Sequence, residues 1–243
     1  MKCLLLAAGY ATRMYPLTMD KPKVLLDLNP KLTVLNFLLD KICSAEDITE
    51  VYIVTNNKFY NQFKTFLDKA NYSKKIELIN DQTNSEKERL GAIGDLYYGI
   101  KAADIDNCFM FLESDILFNF KLQDFISFSK SKNGSCITVY DIGDSEKAKS
   151  FGVVKMLNDK IIEFEEKPKN PNSTLVGTFG YIINKHHLNL IHEYVENKDH
   201  DENLGSLITF LVKNGVFGFK YEGMLFDTGS LNGLEFARKN FLD

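Results

Sequence analysis

The residues most able to do chemistry stand in the first 26 positions, where small residues precede two cations. Ala7, Ala8 and Gly9 follow a short apolar run, and Arg13 and Lys23 come after them. Small residues at the end of a strand let backbone N–H groups approach a ligand, and clusters of such groups bind phosphate. The stretch therefore predicts a phosphate-binding loop with two cations, although an ordinary turn with solvated Arg and Lys has the same composition. It contains neither G-x-x-x-x-G-K-[ST] nor G-x-G-x-x-G, which excludes the P-loop and the dinucleotide fingerprint.

Two aspartates in distant parts of the chain are candidate ligands of a divalent ion. Asp115 follows the apolar run 108–112, and Asp227 stands in the turn 226–230. Mg²⁺ is commonly bound by one or two carboxylates, with water and phosphate oxygens as its other ligands. Each aspartate taken alone is better explained as a turn or cap residue, so the pair is a candidate site only in combination with the loop.

A charged segment in the second half supplies a further cation. Glu166 and Lys167 stand directly before Pro168, after the apolar run 161–164. A charged β-turn that ends in proline would have the same composition. The segment by itself is therefore better explained as such a turn than as an anion-binding site.

The elements that must position these residues alternate along the first half of the chain. Apolar runs predict strands at 3–6, 51–54, 76–79 and 108–112, and apolar periodicity predicts helices near 33–43, 59–67 and 91–100. Strands that alternate with helices predict an α/β fold with a Rossmann-like, mostly parallel twisted sheet, flanked by helices in three α/β/α layers. Ligands of such sheets bind at the carboxyl ends of the strands. Asn80, Asp81, Ser114 and Asp115 all follow strands and are expected at that edge, beside the loop.

The second half is less regular. Strands are predicted at 136–140, 153–156, 161–164, 178–183 and 216–221, and helices at 185–195, 207–213 and 231–240. No linker rich in Pro, Gly or Ser interrupts the chain, so residues 1–243 are interpreted as one domain.

Composition excludes several classes of protein. A chain of 243 residues with 44% hydrophobic residues can bury a large core, and a net charge of −4 argues against a nucleic-acid-binding protein. The four cysteines lack C-x-x-C spacing, which favours free thiols in a reducing compartment. No secretory signal and no long apolar segment is apparent, so we expect a cytoplasmic protein without a membrane partner.

Taken together, the motifs resemble those of the sugar-phosphate nucleotidylyltransferases. The family pattern LAAGxGTRLxPLTxxxPKxLL is matched by LAAGYATRMYPLTMDKPKVLL at residues 6–26. The segments LGAIG at 90–94, FGVV at 151–154, EEKP at 165–168 and FDTGS at 226–230 are similar to the family's LGTAG, YGVV, F-x-EKP and W-x-D-x-G segments, in the same order. One departure is Ala11, which replaces the family's second glycine. If the backbone there needs a positive φ, alanine costs about 1 kcal/mol.

The resemblance also implies residue roles and two functional halves, a nucleotide-binding half at about 1–115 and a sugar-phosphate-binding half at about 116–243. The implied nucleotide-binding residues are Leu6, Ala7, Ala8, Gly9, Tyr10, Ala11, Thr12, Arg13, Lys23, Asn80, Asp81, Gly91 and Ser114. The implied sugar-phosphate-binding residues are Gly152, Glu166, Lys167 and Gly180, and the implied Mg²⁺ ligands are Asp115 and Asp227. The implied catalytic residues are Arg13, Lys23, Asp115, Lys167 and Asp227.

The activity implied by the resemblance is a Mg²⁺-dependent reaction of a nucleoside triphosphate, best dTTP or UTP, with a hexose 1-phosphate, which yields a nucleotide sugar and pyrophosphate. The resemblance is to the short, thymidylyltransferase-like forms; only residues 231–243 follow Ser230, so no C-terminal β-helix is expected. Two alternatives stay open: a CTP-dependent enzyme that acts on phosphocholine or a similar small phosphate, and a catalytically silent regulatory protein that binds a nucleotide sugar. The resemblance also allows a homo-oligomer, and the base and the acceptor are not decided.

Overall fold

Apolar runs form the strands of this protein, and periodic apolar positions form its helices. The computed structural model describes residues 1–197 and 203–241. The strands are β1 (Lys2–Leu6), β2 (Asp27–Asn29), β3 (Leu32–Thr33), β4 (Glu50–Thr55), β5 (Lys75–Asn80), β6 (Phe109–Glu113), β7 (Ile116–Phe118), β8 (Ser135–Asp141), β9 (Gly152–Leu157), β10 (Lys160–Glu166), β11 (Leu175–Ile183), β12 (Val216–Lys220) and β13 (Leu225–Asp227). The helices are α1 (Val34–Cys43), α2 (Tyr60–Lys69), α3 (Gly91–Ala102), α4 (Leu122–Lys132), α5 (Ser145–Ala148), α6 (Lys185–Glu196), α7 (Leu204–Val212) and α8 (Leu231–Asn240).

Nine strands form one mixed sheet, in the order β5-β4-β1-β6-β11-β8-β12-β10-β9. The first four of these strands are parallel, as expected where helices connect successive strands. In the second half most pairs are antiparallel: β11 is antiparallel to β6 and β8, and β10 is antiparallel to β9. The sequence prediction of a mostly parallel sheet therefore holds for residues 2–113 only. A short connection explains one of these pairs, since the two residues Asn158 and Asp159 can join β9 to β10 only as a hairpin.

Helices cover both faces of the sheet, which confirms the predicted α/β/α layers. Successive side chains of β1 point to opposite faces, so Cys3 and Leu5 join one apolar core while Leu4 joins the other. The first core includes residues of α1, α2, α4 and α8, and the second includes residues of α3, α6 and α7. Within residues 1–197 and 203–241, no helix is both long and apolar enough to span a bilayer.

A small two-stranded sheet brings the end of the chain to the end of β6. Strand β7 is antiparallel to β13, with Ile116 opposite Asp227. Thr228 donates to the backbone oxygen of Asp115 from its N–H at 2.7 Å and from its hydroxyl at 2.8 Å. These contacts place the segment after β13 directly beside the segment after β6. Neither β7 nor β13 was predicted, because strands of three residues are too short to show a periodic pattern.

Candidate active site

A cleft with two adjoining lobes opens at the carboxyl ends of β1 and β6. The β1 lobe, of about 450 Å³, is lined by residues that include Ala8, Gly9 and Lys23. The β11 lobe, of about 530 Å³, is lined by residues of β9, β10 and β11 together with Asp227. Glu113 and Asp115 line both lobes. The cleft thus has the position at which ligands of open α/β sheets bind.

Twelve of the residues named from the sequence line this cleft. They are Leu6, Ala8, Gly9, Arg13, Lys23, Gly91, Ser114, Asp115, Gly152, Glu166, Lys167 and Asp227. The other seven do not line either lobe: Ala7, Tyr10, Ala11, Thr12, Asn80, Asp81 and Gly180. Their own contacts explain this: Tyr10 and Asp81 are buried, the Asn80 side chain donates to Asn57, and the N–H of Gly180 donates to Thr138.

Lys23 is held in the cleft by its neighbours. Pro22 is extended, with φ −65° and ψ 143°, and a 3₁₀ turn follows whose Val24 and Leu25 are buried. The turn directs the ammonium group of Lys23 to Asp115, with Nζ 2.6 Å from Oδ2. Burial by itself would raise the pKa of Asp115, but the Lys23 ammonium outweighs it and holds this pKa below its usual value. Asp115 is therefore ionised at neutral pH.

The carboxylates of Asp115 and Asp227 converge beside Gly229. A Cβ at Gly229 would lie 2.9 Å from Asp115 Oδ2 and 3.0 Å from Asp227 Oδ1, so only glycine leaves this space free. The N–H of Gly229 donates to Asp227 Oδ1 at 2.6 Å. Burial and repulsion from Asp115 raise the pKa of Asp227. In the described part of the chain, no group of three or more His, Cys, Asp or Glu side chains could hold a metal ion. Asp115 and Asp227 offer two carboxylates, and this donor set suits Mg²⁺ when phosphate and water supply its other ligands.

Glu113 is a cleft residue that the sequence analysis did not assign. Its carboxylate accepts a hydrogen bond of 3.0 Å from the hydroxyl of Tyr181, whose ring stacks on Phe111 at 4.3 Å. Burial and the nearby Asp115 raise the pKa of Glu113. Its place at the end of an apolar strand, two residues before Asp115, was a signal from which it could have been found. Arg89, which lines both lobes and forms an ion pair with Glu86, was also unassigned.

The β11 lobe is shaped by close backbone approaches. A Cβ at Gly152 would lie 2.2 Å from the ring of Phe164, and a Cβ at Gly205, at the start of α7, would lie 2.4 Å from Glu166 Oε2. Lys167 has a left-handed backbone, with φ 47°, and its N–H donates to the carbonyl of Phe151 at 3.0 Å. Strained backbone of this kind is often retained where it positions a functional side chain. The ammonium of Lys167 lies 3.1 Å from Glu166 and is more than half exposed, so it is available to an anion.

Ala11, which replaces the family's second glycine, has the positive φ at which alanine is strained. Its φ and ψ are 49° and 42°, in the left-handed region. Its carbonyl accepts hydrogen bonds from the hydroxyl of Thr18 at 2.7 Å and from the N–H of Met14 at 2.9 Å, so the conformation is held in place. Alanine therefore carries a strain here that glycine would not.

Replacing Ala11 by glycine is expected to stabilise the protein by about 0.5–1 kcal/mol, because relief of the left-handed strain exceeds the extra backbone entropy of glycine when unfolded. Urea unfolding of the variant and the wild type measures this difference. Ala102→Gly, an exposed position at the end of α3, is the matched control and is expected to lose stability, by up to about 1 kcal/mol. Equal destabilisation by both changes would contradict the strain at Ala11.

Comparison with known proteins agrees with the motifs. The bifunctional protein GlmU of Methanocaldococcus jannaschii is 27% identical over 247 residues, which cover 100% of this chain and 55% of that protein. The chain spans 50 to 61% of the length of the curated relatives first matched. The crystal structure, with sucrose, of a Bacillus anthracis protein assigned as a glucose-1-phosphate thymidylyltransferase has a TM-score of 0.84 and 22% identity, over 98% of this chain and 94% of that one. A UDP-glucose pyrophosphorylase complexed with UDP-glucose has a TM-score of 0.82 and 19% identity, over 99% and 97% of the two chains.

The structural likeness confirms the Rossmann-like α/β fold, which these proteins share with this chain over nearly its whole length. A family model described as nucleotidyl transferase matches residues 2–243, a range that contains both lobes of the cleft. The chain therefore belongs to the nucleotidyl transferase family.

Proposed function

We propose that this chain is a Mg²⁺-dependent nucleotidylyltransferase that joins a nucleoside triphosphate to a sugar 1-phosphate and releases pyrophosphate. The observation that carries the proposal is the position of the Lys23–Asp115 pair, which lies where the two lobes meet and faces Asp227. A cleft with two lobes can hold two substrates, and charged groups at the junction act where the substrates react. The family supports the reaction class, and the likeness to an enzyme complexed with UDP-glucose supports UTP or dTTP with a hexose 1-phosphate as the first substrates to test.

The reaction needs no general base. The phosphate of a sugar 1-phosphate is ionised at neutral pH, so one of its oxygens can attack the α-phosphorus directly. The new O–P bond forms as the bond between the α-phosphorus and the oxygen bridging to the β-phosphate breaks, and pyrophosphate leaves with that electron pair. The protein must therefore hold the two phosphates in line and stabilise the charge that moves to the leaving group.

Cationic side chains line both lobes of the cleft and could stabilise this charge. Lys23, which lines the β1 lobe, would stabilise the transferring phosphoryl group. Arg13, which lines the β11 lobe, would take the β- and γ-phosphates together with the loop amides. Lys167, in the β11 lobe, is placed to hold the phosphate of the acceptor. Asp115 and Asp227 would hold Mg²⁺, which when bound supplies further charge stabilisation to the phosphate oxygens.

A phosphocholine acceptor is the second candidate. The rings of Phe151, Phe164 and Tyr181 line the β11 lobe together with Glu113. Aromatic faces beside a carboxylate favour a quaternary ammonium group. Glu166 and Lys167 in the same lobe suit a sugar phosphate equally, so the two acceptors must be compared directly.

Pyrophosphate release tests the proposal, with ATP, CTP, GTP, UTP and dTTP each paired with glucose 1-phosphate, other hexose 1-phosphates or phosphocholine. We expect a signal that requires Mg²⁺, one base and one hexose phosphate. A signal with CTP and phosphocholine alone would favour the second candidate. Silence with every pair, while a triphosphate still raises the melting temperature, would overturn catalysis with these acceptors and favour the regulatory alternative.

A further inference from the structure

Glu113 has a carboxyl oxygen that a ligand in the cleft can reach. Its Oε1 accepts the 3.0 Å hydrogen bond from the Tyr181 hydroxyl, and among the described residues the carboxyl group has no other hydrogen bond. Oε2, which has no partner in this part of the chain, is open to solvent, in contrast to the buried and unpartnered hydroxyl of Ser114. Because Glu113 lines both lobes, its Oε2 is available where the lobes meet.

Tyr181 fixes the orientation of this carboxyl group. It stands opposite Phe111 in the antiparallel pairing of β11 with β6, and its ring stacks on that of Phe111 with the centroids 4.3 Å apart. Tyr181 is buried, and a close-packed interior gives its ring little room to move. The hydrogen bond from Tyr181 therefore holds Oε1 of Glu113 and leaves Oε2 for a substrate group.

Glu113 lacks the cation that two other carboxylates of the cleft have. Asp115 lies 2.6 Å from the ammonium group of Lys23, and Glu166 lies 3.1 Å from that of Lys167. In residues 1–197 and 203–241 no side chain forms an ion pair with Glu113, and the nearby Asp115 repels its charge. A half-buried carboxylate beside a like charge is stabilised when a cation pairs with it. A bound substrate can supply that cation.

The surrounding charges restrict which part of a substrate meets Glu113. A Mg²⁺ ion on Asp115 and Asp227 would not take Glu113 as a third ligand, because no three acids of the described chain are placed to share one ion. A phosphate group is anionic and is repelled by the carboxylate. Glu113 stands two residues before Asp115, where Lys23 would hold the reacting phosphate. The group that meets Oε2 therefore belongs to the carbon skeleton of the acceptor, close to its phosphate.

The β11 lobe favours a cation over a hydroxyl group at this position. The rings of Phe151 and Phe164 line the lobe together with Glu113, and aromatic rings attract cations. A hydroxyl group can also donate to Oε2, but a contact between oppositely charged groups is about twice as strong as one between neutral groups.

We propose that Glu113 is a specificity-determining residue that selects acceptors with a cationic nitrogen two carbons away from the phosphate ester oxygen. Two kinds of compound share this arrangement: the 1-phosphates of 2-amino-2-deoxyhexoses, and the phosphates of small amino alcohols such as choline. In either complex Oε2 pairs with the nitrogen while Tyr181 holds Oε1. The inference rests on the proposed function, because it needs the phosphate of an acceptor beside Lys23.

Two pairs of acceptors test the inference on the wild type, so no variant has to fold. Glucosamine 1-phosphate is compared with glucose 1-phosphate, and phosphocholine is compared with 3,3-dimethylbutyl phosphate, in which carbon replaces the nitrogen. Pyrophosphate release with Mg²⁺ and each of the five triphosphates gives kcat/KM. In one pair we expect kcat/KM of the cationic acceptor to be at least about tenfold higher than that of its neutral partner. The pair that shows this preference identifies the source of the nitrogen.

Glu113→Gln then tests whether Glu113 causes the preference. Glutamine keeps the size of the side chain and can still accept from Tyr181, but it has no charge. The kcat/KM ratio within the preferred pair is expected to fall to about one, because the charged contact is lost. Glu163→Gln makes the same change at an exposed position of β10 that lines neither lobe, and is expected to keep the ratio. A general loss of folded protein lowers both members of a pair equally and leaves the ratio unchanged.

The outcomes separate this inference from the proposed function. If no acceptor yields pyrophosphate with any triphosphate, the proposed function and the inference both fail. If glucose 1-phosphate reacts and neither pair shows a preference for its cationic member, the inference alone is overturned. A preference that Glu113→Gln retains in full would also overturn it.

Discussion

Asp115→Asn is expected to lower turnover at least about a hundredfold, on the scale of lost charge stabilisation in an active site. The change keeps the size of the side chain but removes the charge that Lys23 meets at 2.6 Å and that converges with Asp227 beside Gly229. An amide also places a hydrogen-bond donor on one side of the group, and a cation would be repelled there. Steady-state pyrophosphate release with saturating triphosphate, Mg²⁺ and acceptor measures the effect.

Lys23→Ala is expected to lose at least as much, about a hundredfold or more, by removing the cation itself. Lys21→Ala is its matched control, because Lys21 pairs with Asp27 at 3.4 Å and both side chains are well exposed. Surface ion pairs contribute little to stability, so Lys21→Ala is expected to keep both turnover and the free energy of unfolding. Urea unfolding of each variant separates a lost charge from a lost fold. Near-normal turnover in both Asp115→Asn and Lys23→Ala would contradict the assignment of this cleft as the active site.

The sequence was sufficient for the parts of the site that depend on local chain order. The loop at residues 6–26 combines a strand end, small residues and a proline-directed turn, so its place at the sheet edge follows from local preferences. Asp115 follows β6 for the same reason. The position of Asp227 beside it follows from the pairing of β7 with β13, which three-residue strands do not reveal, and it was reached only through the resemblance.

Other parts depend on packing between distant segments and could not be predicted. Tyr10 and Asp81 were predicted to bind nucleotide, yet Thr83 links them in a buried hydrogen-bond network and neither residue lines the cleft. Asp95 lies in a helix with mixed apolar residues, and only the packing of distant segments buries it near Asp81, which raises its pKa. Helix α4 was also missed, because few of its residues are apolar and it is packed through Leu122, Phe125 and Ile126.

Gly229→Ala is expected to lower turnover by as much as about a hundredfold, because misplacement of reacting groups by about 1 Å has effects of that size. The added Cβ would lie within 3.0 Å of carboxylate oxygens of both Asp115 and Asp227, and these side chains must move apart to admit it. The backbone of Gly229 does not have a positive φ, so alanine adds no backbone strain, and the carboxylates are side chains that can shift. The free energy of unfolding is therefore expected to change by less than about 1 kcal/mol.

Ser230→Ala is the neighbouring control, with the opposite pattern expected. The Ser230 hydroxyl caps α8 by accepting from the N–H of Gly233 at 3.1 Å, so its removal should cost about 1 kcal/mol of stability and leave turnover unchanged. Titration of Mg²⁺ in the activity assay adds a separate readout for Gly229→Ala, because two displaced carboxylates should raise the Mg²⁺ concentration needed for half-maximal rate. Normal turnover of Gly229→Ala at the wild-type Mg²⁺ requirement would show that the convergence of Asp115 and Asp227 is not needed for the reaction. An equal loss of turnover in Ser230→Ala would instead trace the effect to the start of α8, because the Ser230 hydroxyl acts on that helix as its cap.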